Sequence, residues 1–279
     1  MGLMDFIKSV KTISADEVRN MIRGKNIDDY QLIDVRQPKE YEQGHIPGAV
    51  LLPLGDIEKF MNEYDPDKPI VVYCAIGGRS RAAASFLYGA GIKEVYSLAG
   101  GIKAWNSAVV SGPPDAGMVH FRDLSRLDEV IAVAWAFEEG SMRFYRHIEE
   151  QHSKNRAAKI FAKLSKAEEK HKAVLTDLYY KAKGDIRTAD YPDYYTSLSN
   201  ADLMIEGGLK FKEAMDWAKN KTVVDIVDFS MSIESRQYDL YMRMMRMMTD
   251  GKAEKSLRLI AQEEKNHLER LTEFFEDAI

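Results

Sequence analysis

The strongest constraint on the fold is an internal repeat in the second half of the chain. Glu138 is followed seven residues later by Tyr145, and Glu234 is followed seven later by Tyr241. Glu168 is followed three later by His171, and Glu264 three later by His267. Each member of the first set precedes its counterpart by 96 positions, and two of only six histidines fall into this register. Any one coincidence of glutamates means little, but four together with matching residue types mark a duplicated structural unit.

Apolar residues recur at helical spacing over Leu124 to about Gln151, Arg156 to Lys183, Val223 to Met248 and Ala253 to Asp277. Four long helices predict a bundle. The segment from Gly184 to Thr222 is too long for a tight turn, so a long crossover joins the second helix to the third. Within it, Asn200 to Lys219 reads as partly helical, around Gly207-Gly208. Positions three apart share a helix face, so Glu168 with His171, and Glu264 with His267, can each grip one ion. Glu138 and Glu234 come from the other two helices. Four carboxylates and two imidazoles converging inside a bundle make the ligand set of a di-iron or di-manganese site. Buried carboxylates also need compensating charge, which a metal pair supplies. Glu139, Glu169 and Glu263 are expected outside the cluster or at its rim. His147 and His152 lack partners at ligand spacing and read as surface residues. The methionines between Met242 and Met248 read as core or interface filling.

The first part of the chain has another pattern. Ser14-Ala-Asp-Glu17 is a capping box opening a helix to about Ile22. Strands are expected at Gln31–Val35, Ala49–Leu52, Ile70–Cys74 and Glu94–Leu98, with helices at Glu58–Glu63, at Ala82–Tyr88 and around Trp105. Strands alternating with helices predict a parallel α/β sheet, with Ile70–Cys74 at its centre. The only cysteine of the 279 residues, Cys74, ends that strand. Ala75, Ile76, Gly77 and Gly78 follow as a loop with inward N–H groups, and Arg79 and Ser80 open the next helix. A thiol there sits in an anion site, which favours thiolate. Arg36 serves either an anion or an ion pair with Asp34 or Glu40, and His45 stabilises a turn.

These residues resemble the rhodanese family. The resemblance rests on Asp34-Val35-Arg36, Pro38, Glu40-Tyr41, Gly44 to Ala49, Tyr73-Cys74, Gly77, Arg79-Ser80, Ala83, Leu98, Gly100-Gly101 and Trp105, in the family's order. It implies a persulfide on Cys74, loaded from a sulfane-sulfur donor and passed to a thiol acceptor, with Arg79 and the loop amides holding the anion. The loop from Cys74 to Arg79 spans six residues, like the sulfurtransferase loop. Related phosphatases carry one residue more, so a phosphate or arsenate enzyme is the weaker alternative. The four loop residues carry no charge, which argues against thiosulfate as the physiological donor.

The helical part resembles the ferritin-like superfamily, closest to the rubrerythrin di-iron domain, over about residues 120–279. That resemblance implies two iron ions per chain, with manganese or a mixed pair as variants, and reactivity toward hydrogen peroxide or dioxygen. Tyr145 and Tyr241 match family tyrosines that hydrogen-bond groups around the metals. Full-length rubrerythrins also carry a four-cysteine iron domain, which one cysteine cannot build, so an external electron donor is expected. A homodimer is expected as well.

The expected architecture is multidomain: an α/β rhodanese-like domain over 1–112 and an all-α, ferritin-like domain over 113–279, joined at the Pro-Pro and glycines of Asn106–Gly117. The net charge of −5 and the absence of a basic block argue against nucleic acid. No apolar run reaches the ~18 residues needed to span a membrane. The N-terminus lacks a signal-peptide core, and Phe6 stands where a myristoylation signal needs Ser or Thr, so a cytoplasmic location is expected. Two other functions use the same residues: a sensor that takes up persulfide and iron without turnover, and a bundle that only dimerises the first domain.

Overall fold

A computed structural model describes residues 10–62, 65, 68–111, 127–154, 156–184, 203–205, 209–248 and 251–278. The chain divides into two compact units, Met1–Ala116 and Gly117–Ile279. The Pro-Pro of the expected linker lies outside the described residues.

The first unit is built on five parallel strands: β1 (Lys11–Ile13), β2 (Gln31–Asp34), β3 (Val50–Leu51), β4 (Ile70–Tyr73) and β5 (Val95–Leu98). Their order is β1-β5-β4-β2-β3, which puts β4 at the centre. Every residue of β4 is buried. Alternation along the strand sends Ile70 and Val72 to one face, against Ala83, Ala84 and Leu87. Val71 and Tyr73 go to the other, against Val18, Ile46 and Trp105. Helix α1 (Ala15–Ile22) starts at the Ser14–Glu17 capping box. Helix α3 (Gly78–Gly89) follows the cysteine loop directly.

Several elements differ from the expectations. Strand β1 was not anticipated, because three residues are too few to show a period. Helix α2 (Pro38–Gln43) is also additional; Pro38 in its first turn and Glu40 capping the Gln37 N–H set its start. Residues 54–62 form a 3-10 helix. Trp105 lies just past a short 3-10 turn, Gly101–Ala104, and not within a helix. Its indole N–H donates to the Ala108 carbonyl at 3.1 Å.

The second unit pairs α4 (Leu127–Gln151) with α5 (Ala158–Ala182), and α7 (Val223–Met247) with α8 (Gly251–Ala278). The bundle core gathers Phe144, Tyr145, Phe161, Leu164, Ile226, Ile233 and Leu271. Helix α7 begins at a Thr222–Asp225 capping box. The crossover from α5 to α7 is more structured than its composition implies. It contains the antiparallel pair β6 (Met204–Ile205) and β7 (Leu209–Lys210), then α6 (Phe211–Ala218). Among the described residues of the expected stretch, helix is found at Phe211–Ala218, and Gly207-Gly208 lie outside the described residues. Strand β6 lies so close to α4 that a Cβ at Gly140 would sit 2.0 Å from the Met204 carbonyl oxygen. Met242, Met244 and Met245 are buried in the chain's own core. No helix among the described residues is long and apolar enough to cross a membrane.

Candidate functional site

Each unit brings one set of chemically active residues together. In the first, Cys74 leaves the end of β4 and its side chain is almost fully buried. The chain turns at Gly77, whose φ of 100° suits glycine and few other residues. That turn aims the Gly77 N–H at the Cys74 sulfur, 3.1 Å away. Burial works to raise the thiol's pKa. Hydrogen bonds from the Ser80 N–H and hydroxyl, and from the Ile76 and Gly77 N–H groups, outweigh it and hold the thiol below its ordinary value. Ser80 is itself buried, and its hydroxyl oxygen lies 3.0 Å from that of Ser97. Ala75 is half-buried, Gly78 is exposed at the first turn of α3, and Ile76 projects outward at 66% exposure.

Arg79 stands beside the loop with its guanidinium clamped by both oxygens of Glu40, at 2.6 and 2.7 Å. That hydrogen bonding draws Glu40 down to about 2 and raises Arg79, with Cys74 adding a smaller upward pull. Arg36 is an ion-pair residue: it is buried, grips Asp34 through both carboxylate oxygens and donates to the Gly44 carbonyl. His45 is buried in its turn, stacked on Tyr41 and bonded to the Tyr41 carbonyl at 3.1 Å.

Gly101 also belongs to this site, unnoticed in the sequence beyond its place in the family pattern. It has a φ of +60°, and a Cβ there would lie 2.2 Å from the Cys74 carbonyl oxygen. The next N–H groups, of Ile102 and Lys103, donate to the carbonyls of Cys74 and Ala75. The floor of the loop is therefore the backbone that follows β5.

In the second unit, Glu138 comes from α4, Glu168 and His171 from α5, Glu234 from α7, and Glu264 and His267 from α8. All six are buried. His171 Nδ1 lies 3.0 Å from Glu168 Oε2, 2.9 Å from Glu264 Oε1 and 3.4 Å from Glu138 Oε2. His267 Nδ1 lies 3.1 Å from Glu234 Oε2, 3.5 Å from Glu264 Oε2 and 4.0 Å from Glu168 Oε1. Glu168 and Glu264 thus show one oxygen to each imidazole, whereas Glu138 and Glu234 each serve one side. The donor atoms fall into two groups that share Glu168: Glu138, Glu168, His171 and Glu264, and Glu168, Glu234 and His267.

The cluster fits a metal pair on its own chemistry. Both oxygens of Glu168 and Glu264, Glu138 Oε2 and His171 Nδ1 are buried without a hydrogen bond. Several approach within 3 Å, but too many acceptors crowd one nitrogen for all to be aligned. Without a cation, burial and the charges of Glu264 and Glu234 push Glu168 far above the carboxylate range, and burial lifts Glu234 to about 7. Cations bound by these oxygens would remove that penalty.

The tyrosines cross over. Tyr145 on α4 donates to Glu234 of α7, and Tyr241 on α7 donates to Glu138 of α4. Each fixes the carboxylate oxygen that faces away from the imidazole. Gln237 adds a longer contact to Glu138 at 3.4 Å. Glu263 keeps its rim position, half exposed, yet it accepts from His171 Nε2 at 3.0 Å. Such a bond fixes which ring nitrogen faces the ligands. Glu139 corrects the expectation: it is buried, because Lys172 and Arg143 neutralise it. Glu169 is exposed, and His147 pairs with Gln151 on the surface.

Comparison with known proteins agrees with this division. Residues 14–108 match the rhodanese-like domain family and residues 129–275 match the rubrerythrin family. The chain belongs to the rubrerythrin family and carries a rhodanese-like domain ahead of the rubrerythrin part. An uncharacterised protein of Bacillus subtilis (strain 168), YqhL, is 41% identical over 100 residues, 36% of this chain and 75% of that protein. Thiosulfate sulfurtransferase GlpE of Pseudoalteromonas translucida (strain TAC 125) is 42% identical over 81 residues, 29% of this chain and 77% of GlpE. The crystal structure of a rhodanese-like domain protein from Staphylococcus aureus is 32% identical, covering 35% of this chain and 92% of that one at a TM-score of 0.32.

Proposed function

We propose that the chain is a cytoplasmic sulfurtransferase working through a Cys74 persulfide, and that its second unit holds a pair of iron ions used on peroxide or dioxygen. The observation that carries the first part is the Cys74 sulfur, buried at the loop floor and held toward thiolate by converging N–H groups. The likeness to GlpE supports the same reading. The thiolate attacks the outer sulfur of a sulfane-sulfur donor. A sulfur–sulfur bond forms at Cys74 as the donor's breaks, and the donor's inner fragment leaves with the electron pair. An acceptor thiolate then attacks the outer sulfur and Cys74 leaves as thiolate. The loop N–H groups stabilise the charge as it moves.

In the second unit, Glu138, Glu168, His171, Glu234, Glu264 and His267 would hold the two ions. An iron pair bound there supplies electrons and Lewis acidity toward peroxide or dioxygen, and the same oxygen-rich set also suits manganese. Tyr145 and Tyr241 keep the carboxylates of Glu234 and Glu138 oriented, and Glu263 keeps His171 in the tautomer that presents Nδ1. Reduction of peroxide requires two electrons from outside the chain, since one cysteine builds no relay of its own.

Cyanide-dependent sulfur transfer from thiosulfate, or from an organic persulfide, tests the first part. The activity is expected in the natural chain and absent in Cys74→Ala; activity that persists in the variant rejects the persulfide. Metal analysis tests the second, with about two transition-metal ions expected per chain from the ligand count. A chain free of metal after growth with iron and manganese rejects it.

A further inference from the structure

The internal repeat is broken at one informative position. His171 Nε2 is bound by Glu263, one residue before the ligand Glu264. The residue 96 positions earlier, one before the ligand Glu168, is Ala167. His267 therefore lacks the carboxylate that its counterpart has. Its Nδ1 faces the ligand cluster, and among the described residues no group pairs with its Nε2.

His267 and Ala167 instead line a groove of about 350 Å³ between α5 and α8, which also holds Lys163, Lys166, Lys170 and Arg270. A second hollow of about 290 Å³ shares Lys163, His267 and Arg270 with it. The three lysines recur at three and four residues along α5, so they form one stripe. All four cations are exposed, and among the described residues none is in an ion pair. The one carboxylate of the 350 Å³ groove, Glu263, is committed to His171. The four cations outnumber Glu263, whose carboxylate also feels the charge of Lys170, so the groove keeps a net positive charge in a chain of net charge −5.

We infer that this groove binds a small oxyanion of sulfur or phosphorus, one oxygen of which accepts the hydrogen bond from His267 Nε2 that Glu263 accepts from His171. The anion stands in for the missing carboxylate, and the lysines and Arg270 supply its counter-charge. Occupancy then fixes the ring of a residue in the ligand cluster, so the groove is a place where an anion acts on the buried site without entering it. The inference goes beyond sulfur transfer and does not depend on Cys74.

Calorimetric titration of the full chain carrying Cys74→Ala with Arg79→Ala, with its metal content measured, tests this free of the first unit's thiol and of the cation beside its loop. Thiosulfate and pyrophosphate are the probes, one for each source of oxyanion. At least one is expected to saturate the groove below roughly 10 mM, and more weakly as salt rises. Ala167→Glu, which restores the symmetry of the repeat, is expected to weaken binding at least tenfold with metal content unchanged. Lys166→Ala with Arg270→Ala is expected to do the same, and decides the matter if Ala167→Glu disturbs the metal. Failure of both probes to saturate at 10 mM, or affinity unchanged in the double variant, overturns the inference.

Discussion

Replacing Gly140 by alanine sets two effects of opposite sign against each other. Gly140 lies inside the long helix α4, where alanine is favoured over glycine by about 1 kcal/mol. Propensity alone therefore predicts a more stable protein. The tertiary contact predicts the reverse. A Cβ there would sit 2.0 Å from the Met204 carbonyl oxygen, 2.7 Å from its carbon and 3.2 Å from Ile205 Cα. These are backbone atoms of β6, so no side chain can rotate away. The strand must retreat by about 1 Å to reach even the closest separation that real Cβ atoms show. Overpacking of this kind costs roughly 1–3 kcal/mol, and a backbone collision belongs at the upper end. Subtracting the propensity gain leaves a net loss of about 2 kcal/mol. Urea unfolding read at 222 nm, where the long helices dominate, measures it. With a slope of about 2 kcal/mol per molar, the midpoint falls by about 1 M. A midpoint equal to or above that of the natural chain would refute the reasoning and leave propensity in charge.

Other predictions concern the two sites. Gly101→Ala forces a Cβ to 2.2 Å from the Cys74 carbonyl at a positive φ, so sulfur transfer should fall at least tenfold while the far-ultraviolet spectrum holds; unchanged kcat/KM would show that the loop floor is not set there. The pH profile follows from the lowered Cys74 pKa. The thiolate is present above the folded pKa and lost as pH falls through it, so kcat/KM should reach its plateau at lower pH than for an ordinary thiol. Ser80→Ala removes one of the hydrogen bonds that lower it and should move the midpoint upward, read by thiol alkylation against pH. Glu168→Ala with His267→Ala should leave less than half the natural metal content, since Glu168 serves both groups of donors. Removal of metal by a chelator should lower the thermal midpoint of the second unit by several degrees, because the carboxylates are then buried without compensation.

Much of the candidate site is legible in the sequence. Cys74 announced itself by a β-branched run before it and paired glycines after it, both signals held within a few neighbouring residues. The Glu-x-x-His pairs were legible for the same reason: spacing of three on a helix is a local fact. What escaped was short or depended on partners distant in sequence. Strand β1 is three residues long, and its place at the sheet edge comes from pairing with β5. Arg36 suits an anion or an ion pair by sequence alone, and the fold gives it to Asp34. The burial of Glu139 required Lys172, from the next helix.

The sequence by itself determined two units, the thiol at the end of the central strand, and the spacing that pairs Glu168 with His171 and Glu264 with His267. These follow from periodicity and spacing, which covalent geometry enforces locally. Only the tertiary structure decided which carboxylates face both imidazoles and which face one, that each tyrosine serves the opposite helix pair, and that the repeat is symmetric in its Glu and His cluster but not in what surrounds it. Those choices depend on atoms brought within 3–4 Å from helices far apart in the chain, and on how closely a strand can lie against a glycine. No local pattern encodes such distances; the packing of the folded core sets them.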